Sequence, residues 1–145
     1  QNANVWEHSS IIKENNIILG RIYYHGYGVR VNYKKAFDLY ERSAVVDNNP
    51  EAQDVIGTMF LNGWGGVKKN YRTAYKWFKK GANNGDSNAQ FNMGDMYYKG
   101  KYVKKNDDKA IRWFEKAIEQ GHEEAKKHFD RIIAKQKKQT KTNVD

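Results

Sequence analysis

Apolar residues recur along this chain in steps of three and four, the spacing that gathers them on one side of an α-helix. Ala52, Ile56 and Phe60 step by four, and Ala89, Met93 and Tyr97 do the same further on. The stretch around them repeats. Leu19-Gly20-Arg21-Ile22-Tyr23, Ile56-Gly57-Thr58-Met59-Phe60 and Met93-Gly94-Asp95-Met96-Tyr97 stand 37 residues apart, each closed by a further glycine at Gly26, Gly63 and Gly100. A second helical pattern follows in every unit: Asn32, Asn70 and Asn106 open it, Ala36, Ala74 and Ala110 come four residues later, and Leu39-Tyr40, Trp77-Phe78 and Trp113-Phe114 continue it. Self-similarity of this period signals stacked two-helix units, none of which can bury its apolar face alone. The units predicted are 15–51, 52–88 and 89–121. A polar-faced helix over 122–138 caps the open end, and a basic tail at 139–145 frays from it. The whole of 1–145 is read as one domain.

Local chemistry agrees with these boundaries. The three asparagines precede the second helices, where a side-chain oxygen can accept from a first-turn amide. Gly26, Gly63, Gly85, Gly100 and Gly121 fall at helix ends, and Pro50 lies between units. Gly20, Gly57 and Gly94 are different, because a glycine inside a helix costs about 1 kcal/mol relative to alanine. Close approach by the second helix explains them, with Ala36, Ala74 and Ala110 as the expected partners. Asp130 stands where the last helix would carry the same glycine.

The pattern Leu-Gly-x-x-Tyr, then Gly-x-Gly-Val, then Ala-x-x-Trp-Phe and a closing Gly resembles the Sel-1-like repeat, a relative of the tetratricopeptide repeat. Leu19 to Val29 carries the first half, and Ala74-Tyr75-Lys76-Trp77-Phe78-Lys79-Lys80-Gly81-Ala82 the second. Departures are an inserted glycine at Gly65-Gly66, Tyr102 in place of a loop glycine, Asn15 where Ala52 and Ala89 stand, and Leu39 where the other units have tryptophan. The resemblance implies an all-α fold: a right-handed solenoid of three antiparallel helix pairs plus a C-terminal capping helix. Its first helices would line a concave surface that holds a protein or peptide, without catalysis. Some family members staple each unit with a disulfide; with no cysteine, this chain cannot.

The helix wheel marks that surface independently, on the side of each first helix away from the apolar stripe. The residues there are Ile17, Arg21, Tyr24 and His25; Asp54, Thr58, Leu61 and Asn62; and Phe91, Asp95, Tyr98 and Lys99. Several are more apolar than a solvated face needs, and Tyr and Arg are types that concentrate binding energy. Trp64, in the loop with the extra glycine, is either an exposed anchor for a partner or a ring folded back onto the next unit.

Charge narrows the partner. The chain carries 26 Lys and Arg against 17 Asp and Glu, a net +9, which favours an acidic protein partner. Lys68-Lys69, Lys104-Lys105 and the tail's Lys135, Lys137, Lys138 and Lys141 could form a basic ridge. No nucleic-acid module matches, however, so nucleic acid is not the expected partner. With no run of eighteen apolar residues, no membrane insertion is expected. His8, His25, His122 and His128 make no His-Glu-x-x-His pair, and Ser9, Ser10, Ser43 and Ser87 lack a nucleophile turn. Gly63-Trp64-Gly65-Gly66 lacks the Lys and hydroxyl of a phosphate loop, so no metal, cofactor or enzymatic activity is expected. The function expected is therefore a protein-binding adaptor, acting as a monomer or in complex with its partner. A bacterial immunity protein that neutralises a cognate toxin, and a secreted or cell-envelope factor binding a host protein, are the alternatives. The first residue is Gln1 rather than Met, which fits a removed signal peptide or a trimmed chain; an exported, periplasmic location is expected ahead of a cytoplasmic one.

Overall fold

A computed structural model describes residues 15–144, so Gln1, His8, Ser9 and Ser10 lie outside the described residues. Within them the chain forms seven helices and no strand: α1 (15–25), α2 (Tyr33–Val46), α3 (Pro50–Asn62), α4 (Tyr71–Asn83), α5 (Ser87–Lys99), α6 (Asp107–Glu119) and α7 (Glu123–Val144). Each helix from α2 onward packs on the next, and α3 also touches α5, the arrangement of an α-solenoid.

The second helices start where the sequence places them. The Oδ1 atoms of Asn32, Asn70 and Asn106 each accept from the amide three residues on, at 3.0 Å. The first helices start earlier than expected. Asn49 and Asp86 cap α3 and α5 through Ala52 and Ala89, both at 2.9 Å, so these helices begin at Pro50 and Ser87, two residues before the units read at 52 and 89. Pro50 is the first helical residue, where its missing N–H and fixed φ cost nothing. The last helix also overruns: α7 continues through Val144, beyond the end expected at 138, and takes up most of the tail read as frayed.

Three core clusters follow one another along the stack. The first joins Phe37 and Tyr40 of α2 to Ile56 and Met59 of α3; the second joins Phe78 of α4 to Met93 and Met96 of α5; the third joins Phe114 of α6 to Ala125 and Ile132 of α7. Each second helix therefore packs forward onto the next unit. Backward, it packs through an aromatic ring. A Cβ on Gly57 would lie 2.6 Å from two ring carbons of Phe78, and one on Gly94 would lie 2.6 Å from two ring carbons of Phe114. Over Gly20 the Tyr40 ring is looser, at 3.2 Å. The atoms nearest the glycines are thus ring carbons, not those of the expected alanines, although Ala36, Ala74 and Ala110 are fully buried.

Buried amides tie the unit ends together. Gln53 donates to the Ala44 carbonyl at 3.2 Å and to Asn48 at 2.7 Å, while Asn84, 31 residues on, donates to its Oε1 at 2.9 Å. Gln90 donates to the Ala82 carbonyl and receives Gln120 in the same way.

Candidate functional site

The face read from the helix wheel is built by α1, α3 and α5, and contacts between successive first helices hold it. Arg21 grips Glu51 of α3 in a two-pronged ion pair, Nε to Oε1 at 2.8 Å and a terminal nitrogen to Oε2 at 2.5 Å. Asn92 of α5 donates to Asp54 Oδ1 at 2.7 Å. Phe91 meets α7, its ring stacked on His122 at 4.9 Å and edge-on to His128 at 5.1 Å. Hydrogen bonds, an ion pair and ring contacts thus fix the spacing of the helices that would present a ligand surface.

The individual side chains are not equally open. Arg21, His25, Asn62 and Lys99 are exposed. Tyr24, Thr58, Leu61 and Tyr98 are half-buried; Tyr24 touches the first cluster, Leu61 the second and Tyr98 the third. The Tyr98 ring carries Lys105 Nζ 4.2 Å from its centroid, and that ammonium also donates to the Tyr98 carbonyl and to Asp107. Ile17 is half-buried against the first cluster, and Phe91 against the third. Asn62 turns back on its own helix, donating to the Thr58 carbonyl at 2.9 Å. Asp95 accepts from Lys99 at 3.0 Å through Oδ2, while its buried Oδ1 meets no protein donor.

Asp54 corrects the reading of an open surface. It is only 8% exposed, because α5 lies across it and supplies Asn92. Burial, reinforced by the nearby charge of Asp86, pushes its carboxyl up to about 7 against the pull of the Asn92 hydrogen bond. Burial likewise raises the Tyr24 phenol.

Trp64 folds onto the preceding unit rather than the next one. Its ring stacks on Tyr33 at 4.9 Å and 4°, with Tyr24 tilted at 6.5 Å. The inserted Gly65 allows this path: its φ is +79°, and a Cβ there would lie 2.9 Å from the Tyr33 carbonyl. Tyr24, Tyr33, Trp64, His25 and Tyr27 form one continuous aromatic edge, with His25 stacked on Tyr27 at 5.1 Å. The loop aromatics of this edge lay outside the wheel argument.

Sequence reasoning also missed the role of His122. Its Nδ1 accepts from the Ala125 amide at 3.1 Å and its Nε2 sits 2.9 Å from Asn88 Oδ1, so a neutral imidazole caps α7. The signal was available, since His122 follows Gly121 as Asp86 follows Gly85. His122 and His128 are brought together on Phe91, although no group of three or more His, Asp or Glu among the described residues could hold a metal. Nor is any described helix long and apolar enough to cross a membrane.

A family model of the Sel1 repeat matches residues 17–44, 50–86 and 87–122. A Sel1 repeat protein of Oxalobacter formigenes has a similar structure, with a TM-score of 0.74 and 34% identity, over 81% of this chain and 47% of that one. Cysteine-rich protein B of Helicobacter pylori aligns with a TM-score of 0.59 and 32% identity, over 65% of this chain and 69% of that one. Among curated relatives, the ERAD-associated E3 ubiquitin-protein ligase component HRD3B of Arabidopsis thaliana is 35% identical over 86 residues, 59% of this chain but 13% of its own length. Three matched units spanning more than half the residues, stacked as in solved Sel1 structures, place the chain in the Sel1 repeat family, whose members generally mediate contacts between proteins.

Proposed function

We propose that the chain is a non-catalytic adaptor that binds a partner protein on the shared face of α1, α3 and α5. One observation carries this reading: Tyr24, Leu61 and Tyr98 occupy the same repeat position in three successive first helices, and each leaves part of a large apolar side chain at the surface. Anchors of this kind, on elements already locked by Arg21–Glu51 and Asp54–Asn92, bind at low ordering cost. Arg21 and Lys99, both exposed, add polar specificity around them. The net charge of +9 favours an acidic partner.

The test is affinity capture from lysate and envelope fractions with the native chain beside the triple variant Tyr24→Ala, Leu61→Ala, Tyr98→Ala, after helicity and melting show the variant is folded. A partner held by the native chain and lost by the variant supports the face. Partners that survive the triple change refute it. The same experiment separates the finer roles, since an immunity protein holds one partner at about nanomolar strength and a scaffold holds several more weakly.

A further inference from the structure

Between α4 and α6, on the side of the second helices, lies a cleft of about 330 Å³. Its floor is aromatic and apolar: Tyr75 from α4, Met93 and Tyr97 from α5, and Trp113 from α6. Its rim is cationic, formed by Lys79, Lys109, Arg112 and Lys116, all exposed. No carboxylate among the described residues forms an ion pair with any of the four.

The repeat itself provides the control. At the corresponding seam between α2 and α4, Phe37 and Phe60 replace Tyr75 and Tyr97, Glu41 replaces Lys79 and Thr73 replaces Lys109. Phe37 and Phe60 meet edge-to-face at 5.9 Å and 76°, and Tyr75 and Tyr97 do the same at 6.1 Å and 82°. Packing at this seam therefore requires neither the two hydroxyls nor the extra positive charge. What they add is chemistry. The hydroxyls lie 2.9 Å apart, so one donates to the other and a single phenolic hydrogen remains for an outside acceptor.

We propose that this cleft is a second docking surface, which takes an acidic polypeptide segment whose carboxylates meet the rim cations while an apolar side chain rests on the Tyr75 ring, beside Trp113. Charge complementarity selects the sign of the occupant. The rings select a polypeptide over a nucleic acid: Lys116 Nζ already sits 4.7 Å over Trp113 and Lys109 Nζ 5.4 Å over Tyr97, which takes up faces a base would need for stacking. The cleft shares no lining residue with Tyr24, Leu61 or Tyr98, so the two surfaces succeed or fail separately.

The experiment is a heteronuclear NMR titration of the ¹⁵N-labelled full chain with the blocked peptide Glu-Glu-Leu-Glu-Glu, its glutamine counterpart and an oligothymidylate of equal charge. The expected result is a saturable shift of the Trp113 indole with the acidic peptide alone. Affinity should fall about tenfold or more in Lys79→Glu, Lys109→Thr, which installs residues the neighbouring seam already carries. Arg112→Gln, an exposed change, serves as an independent second variant, and the Tyr24, Leu61 and Tyr98 alanine variant should bind the peptide normally. Shifts that fail to saturate or that map elsewhere, equal binding of the glutamine peptide, or undiminished affinity in both rim variants would overturn the proposal. Tighter binding of oligothymidylate in the same cleft would reassign it to nucleic acid.

Discussion

Adding one methyl group at Gly57 is expected to strain the stack, and the structure sets the size of the effect. In Gly57→Ala the new Cβ lies 2.6 Å from Cδ1 and Cε1 of Phe78, against about 3.5–4.0 Å for comfortable carbon contacts. Ring or helix must yield by about 1 Å, and Phe78 is fully buried in the second core cluster, so it has no open side to move into. Such overpacking costs about 1–3 kcal/mol. A contact this short draws on the upper half of that range, about 2–3 kcal/mol. Removing a glycine from a helix interior returns about 1 kcal/mol, which leaves a net loss of about 1–2 kcal/mol. Gly20→Ala is the internal comparison. There the ring is 3.2 Å away, a few tenths of relief suffice, and the helix gain should nearly cancel the cost. Urea unfolding midpoints of the two variants and the native chain, converted with a common m-value, measure the difference. A double-mutant cycle of Gly57→Ala with Phe78→Leu should show the two changes relieving one another. If Gly57→Ala matches the native chain, or Gly20→Ala is the worse of the two, ring-on-glycine packing is not what these positions serve.

Two titrating groups should tilt stability in opposite directions. Asp54, pushed up to about 7 by burial, keeps a proton that the unfolded chain releases near its ordinary value, so its contribution is full at low pH and fades as pH rises to neutrality. Asp54→Asn should therefore raise the unfolding free energy from urea titration at pH about 8, by an amount of order 2–4 kcal/mol, and leave it nearly unchanged at pH about 4. His122 is lowered, chiefly by burial, so the unfolded chain takes up its proton first. Its contribution is complete above the ordinary histidine value and is lost as pH falls through that value, because protonation removes the Nδ1 acceptor that caps α7. His122→Asn, a cap that does not titrate there, should flatten the thermal stability profile between pH about 7 and 5; an unchanged profile would mean the imidazole is not the cap.

The helix pairs were legible because the apolar period, the glycines and the asparagine caps recur at fixed offsets and point to the same boundaries. What was misplaced depends on pairings between units. Tyr40 lies one helical turn after Ala36, on the same side of α2, so the pattern cannot decide which of them meets Gly20; only the register of the two helices does. Asp54 is polar and sits on the outward side of α3, yet α5 brings Asn92 across it, a contact that no single-helix wheel contains. The start of α3 was recoverable: Asn49 followed by Pro50 is a cap and a first-turn residue, and both were present in the sequence. Trp64 was not, since its stacking on Tyr33 depends on the path that Gly65 and Gly66 give the loop.

The buried glutamines also make the stack extensible. Gln53 and Gln90 each take the carbonyl of the unit before and accept an amide from the loop after, so every unit offers what the next one uses. A whole unit could be duplicated or deleted with this glutamine chain left unbroken, the unrepeated Asp54–Asn92 pair being the contact that would have to change with it. Propagation stops where that grammar is rewritten: Lys126 holds the glutamine position of the last helix and Asp130 the glycine position, and the two neutralise each other one turn apart on α7.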